Sequence, residues 1–251
     1  MKLTFAIPAY NEGENIGRCL DSIFREMEKG PHGNDIEIIV VDNASTDTTG
    51  KIAESYKGVC VVKEPRKGLL FARQAGYEAA TGDIIANVDA DTMLPPGWIE
   101  TVFKEFSQDS NLVALSGPHI YYDLGTFERF LVAFFYRAGF VLHLVNHYIL
   151  HAGSMLQGGN FVLRKRALDR AGGFNLSIDF YGEDTDIARR ISPLGKVKFT
   201  FRFPIYASGR RLRAEGIFAT GMRYGINHLW ILLFKKPFTE KYRDIRTPTK
   251  T

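Results

Sequence analysis
Cysteine is scarce in this 251-residue chain: Cys19 and Cys60 are its two, and they fit neither a metal-ligand spacing nor a disulfide framework. A reducing, cytoplasmic setting is therefore the expectation, and Cys60, within VCVV, reads as a buried apolar residue. Long apolar runs are lacking too. A membrane-spanning helix needs roughly 20 apolar residues, but FLVAFFYRAGFVLHLVNHYIL (130–150) is interrupted by Arg137, His143, Asn146 and His147, and GINHLWILLFKKPF (225–238) is too short. Each segment suits a membrane surface or a packed core instead. No leader peptide is read at MKLTFAIPAY, whose apolar run is cut by Pro8 and followed by Asn11 and Glu12. GxGxxG is missing after the first strand-like segment, which disfavours a dehydrogenase-type dinucleotide domain. Ser-His and Cys-His arrangements for nucleophilic catalysis are missing as well.

What is present is a basic surplus, a regular alternation of elements and a set of acidic motifs. The formal charge of +4 is unevenly spread, with RKR at 164–166, RR at 189–190, GRRLR at 209–213 and KK at 235–236. Such clusters suit phosphate groups or anionic lipid, and equally a solvated basic face. Over the first 118 residues strand-like and helix-like stretches alternate. The strands are expected at Leu3–Ala9, Asp35–Val41, Val59–Val62, Asp83–Asp89 and Val113–Ser116, and the helices at Glu14–Glu28, from Thr48, at Leu69–Ala80 and at Pro96–Phe106. This pattern predicts βαβ units, a mostly parallel sheet and helices on both faces. Ligands of such sheets bind beyond the carboxyl ends of the strands, where PAYNEGEN, DNASTD, EPRKG and DADT would all emerge.

The second half is less regular: a helical region at 126–150, then QGGNFVLRKRALDRAGGF, FYGEDTDIARRI, a strand-like KVKFTF, and one or two amphipathic helices within 214–246. Asp89 and Asp91 stand out at the end of an apolar strand. Alternate residues of a strand point the same way, roughly 6.6 Å apart, so the two carboxylates converge on one patch that needs a positive partner. A hard divalent cation suits that patch, and so does a plain turn or cap, because DxD occurs often by chance.

Five ordered motifs decide between these. FAIPAYNEGENI, VVDNASTD, KGLLFARQAGYEAATGDIIANVDADT, GGNFVLRKRALDRAGGF and GEDTDIARRI together resemble the family 2 glycosyltransferases over roughly residues 2–213. The resemblance implies an inverting, nucleotide-sugar-dependent enzyme with the GT-A (Rossmann-like) fold, a C-terminal helical extension and Mn2+ or Mg2+ as cofactor. It assigns Pro8, Ala9, Tyr10 and Glu12 to the first nucleotide loop, Asp42 to the base edge, and Lys67 and Arg73 to the pyrophosphate. Asp91 is the direct metal ligand on this basis, with Asp89 a ribose or water-mediated partner. Gly158, Gly159 and Asn160 match the acceptor loop, and Asp184 of the Glu183-Asp184 pair matches the general base. Like charges this close raise one pKa.

Each position also has a plainer reading. Asp42 and Asp47 could cap the following helix, Asp184 and Asp186 could complement a helix dipole, and Arg73 could be a surface residue. His143, His147 and His151 share a helical face and suit packing or an interface better than a metal. The chain departs from the family pattern at Arg66-Lys67-Gly68 and Gln74, and it lacks the QxxRW of processive synthases, carrying SGRRLR (208–213) instead. Arg210 and Arg211 there are placed on the acceptor side, in contact with an acceptor phosphate or with the diphosphate.

The expected organisation is a glycosyltransferase domain over 1–213, divided into a nucleotide-sugar-binding half (1–118) and an acceptor-binding half (119–213), followed by a helical tail over 214–251. The expected partners are a nucleoside-diphosphate sugar, UDP sooner than GDP, and a glycan or lipid-linked acceptor, with no nucleic acid. A homodimer contact and a peripheral contact with the inner face of the membrane are both open for the aromatic segments. The competing functions are a sugar-1-phosphate nucleotidyltransferase, for which PAYNEGEN lacks the Gly-rich basic loop, and a non-catalytic nucleotide- or glycan-binding module.

Overall fold
The computed structural model describes residues 1–148, 155–239 and 244, and for residues 142, 143 and 145–148 the backbone alone. The first half runs β1 (Leu3–Ala9), α1 (Ile16–Lys29), β2 (Ile36–Asp42), α2 (Thr49–Glu54), β3 (Val59–Lys63), α3 (Leu69–Ala79), β4 (Ile84–Val88), β5 (Thr92–Met93), α4 (Trp98–Gln108) and β6 (Leu112–Ser116). The second half continues with β7 (His119–Tyr121), α5 (Thr126–Tyr148), β8 (Asn160–Arg164), α6 (Lys165–Arg170), α7 (Glu183–Ile191), β9 (Lys196–Phe199), β10 (Ile205–Ala207), α8 (Arg210–Glu215) and α9 (Ile217–Phe234).

The main sheet has seven strands in the order β3-β2-β1-β4-β8-β6-β9, and β5, β10 and β7 form a smaller one. β1 lies between β2 and β4, parallel to both, and buries residues of both its faces. Strand alternation sends Phe5 and Ile7 to one side, where α1 and α4 pack, and Ala6 to the other. On the first side the ring of Trp98 lies 5.7 Å from Phe5 and 4.6 Å from Phe203. Truncating Phe5 to Ala would cost about 3–5 kcal/mol by the usual scale for core aromatics. On the other side α3 comes close to the sheet because two residues are small. A Cβ on Gly76 would stand 3.1 Å from that of Ala6.

β8 runs antiparallel to both β4 and β6. Its start therefore lies at the sheet edge where both neighbours end: Val88, the last residue of β4, is in register with Asn160, the first of β8. This reversal brings a segment of the second half alongside the loops of the first.

Two expectations shift. The strand carrying the acidic pair ends at Val88, so Asp89 and Asp91 belong to the loop beyond it. Cys60 is exposed, because β3 is the edge strand and its outer side is uncovered, while Cys19 is buried. Among the described residues no helix is long and apolar enough to cross a membrane. The side chains of His143 and His147, and all of His151, lie outside the described residues.

Candidate functional site
The loops after β1, β2 and β4 meet at one edge of the sheet and hold one another. Asn43 N donates to Ala9 O at 2.8 Å, extending the pairing of β1 and β2 past the strand ends. The buried Asn43 side chain then ties down the loop before α3: its Nδ2 donates to Glu64 O and Arg66 O (3.1 and 2.7 Å), and its Oδ1 accepts from Gly68 N at 2.8 Å. Asp47 links the first two loops, accepting from Gly13 N at 3.0 Å and from Thr49 N at 2.9 Å. Asp42 Oδ1 accepts from Ser45 N at 3.2 Å, and Gly50 leaves room for its other oxygen, since a Cβ there would stand 2.6 Å from Oδ2. Tyr10 and Lys67 pair across the edge, the ammonium 4.1 Å from the ring centroid and 2.9 Å from the hydroxyl. Lys67 also reaches Asp244 at 3.1 Å.

Arg73 sits differently from its expected place at the pyrophosphate. It is 1% exposed, lies over the Phe161 ring at 4.9 Å, and directs its guanidinium at Glu183 (Nη1 to Oε2, 2.5 Å) and Asp89 (Nη2 to Oδ1, 3.5 Å). A guanidinium buried beneath the edge and engaged by two carboxylates holds those acids in place. The contact with Glu183 is a close charge contact without hydrogen-bond alignment, and Arg73 Nε is unpartnered. Glu183 is buried, which pushes its pKa up to about 8; Arg73 opposes that rise, and Asp184 and Asp89 add to it. Of the adjacent acids, then, Glu183 is the perturbed one, and it faces Arg73.

Asp184 is half-buried and follows Glu183 as the second residue of α7. Its Oδ1 accepts from Thr185 N at 2.7 Å and its Oδ2 from Gly158 N at 3.1 Å. The next residue, Gly159, has φ +78°, a conformation that favours glycine, and a Cβ on it would stand 2.2 Å from Asp89 Oδ2. Gly158 and Gly159 thus form a bare backbone ridge, with Asp184 held at Gly158 N and Asp89 packed against Gly159. Asn160 departs from its expected acceptor role. It is fully buried, with Oδ1 accepting from Trp98 Nε1 at 3.3 Å and Nδ2 donating to Gly117 O and Phe203 O at 3.0 and 2.9 Å. Its amide straps the ridge to the core.

Arg210, placed with the second-half loops by sequence, reaches instead to the loops after β1 and β4. From the first turn of α8 it pairs with both oxygens of buried Glu12 and, at 3.0 Å, with Asp91 Oδ2. Burial disfavours its charge, but Asp91, Glu12 and Asp89 outweigh that and raise its pKa. Arg211 points elsewhere, to Glu215 at 2.8 Å and over the Phe180 ring at 4.8 Å. Asp186 is buried against Arg189 and Arg190 (3.0 and 2.7 Å), two ion pairs within the helix.

Sequence reasoning missed several members of this site. Asn43 lies inside a motif that was singled out, yet nothing in its spacing marks it as the loop organiser. His228 of α9 stands 3.1 Å from Thr185 Oγ1 by its Nδ1, behind Asp184. Behind the glycine ridge, Tyr136 donates to Gln157 Oε1 at 2.9 Å and accepts from His119 N at 3.1 Å. Burial pushes the His119 imidazole down to about 4, so it is neutral at ordinary pH.

The donor set fits a divalent cation. Asp91 and Asp89 offer hard oxygen ligands, and their patch already draws in the Arg210 guanidinium. Among the described residues no group of three or more His, Cys, Asp or Glu side chains forms a complete cage. An ion here would fill its shell with water and ligand oxygens.

Known proteins agree with this architecture. The chain is similar to GlyA, a glycosyltransferase of Streptococcus pneumoniae (31% identical over 108 residues, 41% of this chain and 15% of that protein). It is also similar to a dolichol-phosphate mannosyltransferase of Pyrococcus furiosus (34% over 116 residues, 45% of this chain and 32% of that protein). The chain thus spans a third or less of the length of these relatives. Among solved structures, a mannosyltransferase from Pyrobaculum calidifontis in complex with GDP-mannose and Mn2+ superposes with a TM-score of 0.64 at 22% identity, covering 87% of this chain and 62% of that one. Residues 1–349 of TarS from S. aureus in complex with UDP-GlcNAc give 0.63 at 18% identity, covering 83% and 58%. These likenesses show the fold to be that of GT-A glycosyltransferases. Residues 4–172 match the family model described as glycosyl transferase family 2, and the chain belongs to that family.

Proposed function
We propose that this chain transfers a sugar from a nucleoside-diphosphate sugar, a UDP- or GDP-sugar, to an acceptor hydroxyl in polysaccharide, envelope or lipid-linked glycan assembly, with inversion at the anomeric carbon. The observation that carries this reading is the Gly158–Gly159 ridge, which brings Asp184 and Asp89 against two consecutive glycines. An acid for the acceptor and an acid for the donor are thereby held on one rigid backbone step. Within the division proposed here, residues 1–118 hold the donor and 119–213 the acceptor, with Arg210 crossing from the second to the first.

The nucleoside would lie on the loops after β1 and β2, with Tyr10 and Asp42 beside the base and Glu12 near the ribose. Asp91, with Asp89 beside it, would hold Mn2+ or Mg2+, which when bound supplies Lewis-acid stabilisation to the departing diphosphate. Arg210 is the chain's own cation at that place, released from Glu12 and Asp91 to the phosphate oxygens when the donor arrives. Asp184 takes the proton from the acceptor hydroxyl as its oxygen bonds to the sugar C1. The bond from C1 to the phosphate oxygen breaks in the same step, and its electron pair leaves with the nucleoside diphosphate. One displacement inverts the centre and needs no nucleophilic side chain. Glu183 and Arg73 do not touch the substrate; they hold Asp89 and the start of α7 in place.

The test is release of nucleoside diphosphate from UDP-glucose, UDP-GlcNAc or GDP-mannose with Mn2+ present and an acceptor extract supplied. Activity is expected in the native chain and a loss of about 10²–10³-fold in Asp91→Ala, the range for removing electrostatic support of a leaving group. Release of inorganic pyrophosphate from a nucleoside triphosphate and a sugar phosphate would instead overturn the reading.

A further inference from the structure
Two helices of the second half carry apolar surface that no described part of the chain covers. On α5, Phe127, Phe130, Phe134, Val141 and Leu144 follow one another at three-, four- and seven-residue steps, so they share a face, and all are exposed, Phe127 to 72%. On α9, Phe218, Met222, Ile226, Leu229 and Leu233 form a matching exposed stripe. The opposite faces are the packed ones. Val132 of α5 is buried beside Leu124 and Leu212, and Thr220, Asn227 and Ile231 of α9 are buried. The two helices pack on each other, with the rings of Phe135 and Phe218 6.0 Å apart, so both stripes belong to one plate. The loop after β9 extends it through exposed Phe201, whose ring is 5.4 Å from that of Phe140. Continuous apolar surface of this kind marks an interaction site.

The charges around the plate say what covers it. Glu128 is the single acidic residue in α5 and α9, and it is spent on Gly125 N in the first turn of α5. Against it stand Arg129, Arg137 within the α5 stripe, Arg202 beside Phe201, and Lys235 and Lys236 at the end of α9. Arg129 and Arg137 donate to backbone carbonyls, Tyr122 O and Ala133 O, and among the described residues neither meets a carboxylate. Arg223 alone turns inward, to Tyr181 and Glu215. A second copy in two-fold contact would set this basic plate against itself with almost no acid to neutralise it. An anionic lipid surface takes both parts: rings and aliphatic chains enter the headgroup boundary, and the long basic side chains reach lipid phosphates.

We propose that the α5–α9 plate docks this protein on an anionic lipid bilayer, lying on its surface without crossing it. The docking does not depend on the reaction proposed above, but it has a consequence for it. The inner face of α9 walls the base: His228 stands 3.1 Å from Thr185 Oγ1, and Ile231 packs directly over Gly182. The helix that rests on lipid is therefore the helix behind Asp184, and an acceptor carried in the membrane meets the cleft at headgroup level.

Vesicle flotation tests this with the full chain, comparing phosphatidylcholine vesicles with and without phosphatidylglycerol. The chain is expected to float with the anionic vesicles at low salt and to bind the neutral ones at least about tenfold more weakly, since each basic residue near the surface adds to the attraction. Phe130→Glu with Phe134→Glu should abolish flotation, and Lys235→Glu with Lys236→Glu should remove most of its salt dependence. All four sites are exposed, so thermal midpoint and nucleotide-sugar binding should stay unchanged in both variants. Failure of the native chain to float with anionic vesicles overturns the proposal, as does unaltered flotation of the phenylalanine variant. A dimer in sedimentation velocity that the phenylalanine variant splits, with no vesicle binding, would assign the plate to a second copy instead. Nucleoside diphosphate release with a water-soluble acceptor and no lipid reads the reaction separately, so either idea can fail alone.

Discussion

The sheet edge and the α5–α9 plate break the usual burial pattern in opposite ways. At the edge, charge is buried: Arg73 is 1% exposed, Glu12 3% and Glu183 6%. On the plate, rings are exposed, Phe127 and Phe218 each to 72%. Burying charge and exposing aromatic surface both cost free energy in an isolated chain. The proposals above give each region its partner, a cation and a diphosphate at one, an apolar, negatively charged cover at the other. At the edge the chain partly offsets the deficit itself, through Arg73 below and Arg210 above.

That contrast can be broken from the buried side first. Arg73→Met should be the most damaging single change, because the buried guanidinium is the counter-charge to Asp89 and limits the rise of Glu183. A loss of about 3–5 kcal/mol of stability is expected, as for removing one member of a buried pair, and chemical denaturation measures it. A loss under about 0.5 kcal/mol, the size of a surface change, would mean that the guanidinium is not the cluster's counterion.

Glu183→Gln should act through pH. The folded state raises this carboxyl from 4.5 to about 8, so folding favours its protonated form. The resulting stability is fully present below about 4.5 and is lost as pH rises through about 8. The variant keeps a neutral side chain throughout, so its thermal midpoint should decline less than the native one across that window. Parallel profiles would contradict the raised carboxyl.

Arg210→Ala sharpens the comparison at the acidic end of the sheet edge. With the guanidinium gone from 3.0 Å of Asp91, Mn2+ alone should bind about tenfold more tightly, which corresponds to ~1.4 kcal/mol, while donor affinity falls. Calorimetric titration of metal and of donor checks both signs. Weaker binding of Mn2+ alone would mean that the arginine organises the acids instead of competing for them. The smallest effect is expected on the plate: Phe134→Ser should change folding stability by no more than about 0.5 kcal/mol, since the ring is exposed.

The same contrast explains how far the sequence could be read. The strands and helices of the first half were legible to within about two residues, because buried parallel strands are short apolar runs and their helices repeat Ile16, Leu20 and Ile23 at helical steps. The small sheet was not, since β5 holds two residues and β7 and β10 three each, too few for any period to show. Motif order located the edge loops and the acidic residues. It did not reveal side-chain direction. Arg73 on a helix surface pattern turns beneath the sheet edge, and Arg210 crosses 198 residues of sequence to meet Glu12. Cys60 in an apolar strand is exposed because β3 has no outer neighbour, which is a property of strand order and not of VCVV. Asn160 shares a motif with two glycines that shape the ridge, yet its own amide faces inward.

The central claim is that Asp184 serves the acceptor while Asp91 and Asp89 serve the donor, across a backbone step two glycines long. Asp184→Asn separates the two most directly. Its amide oxygen can still accept from Gly158 N, so the ridge should persist, and calorimetry should find nucleoside diphosphate binding with Mn2+ within about twofold of native, on the order of 0.4 kcal/mol. Transfer in single turnover should fall by about 10²–10⁴-fold, the range for losing a general base. Equal loss of binding and transfer, or transfer retained at the native rate, would contradict it.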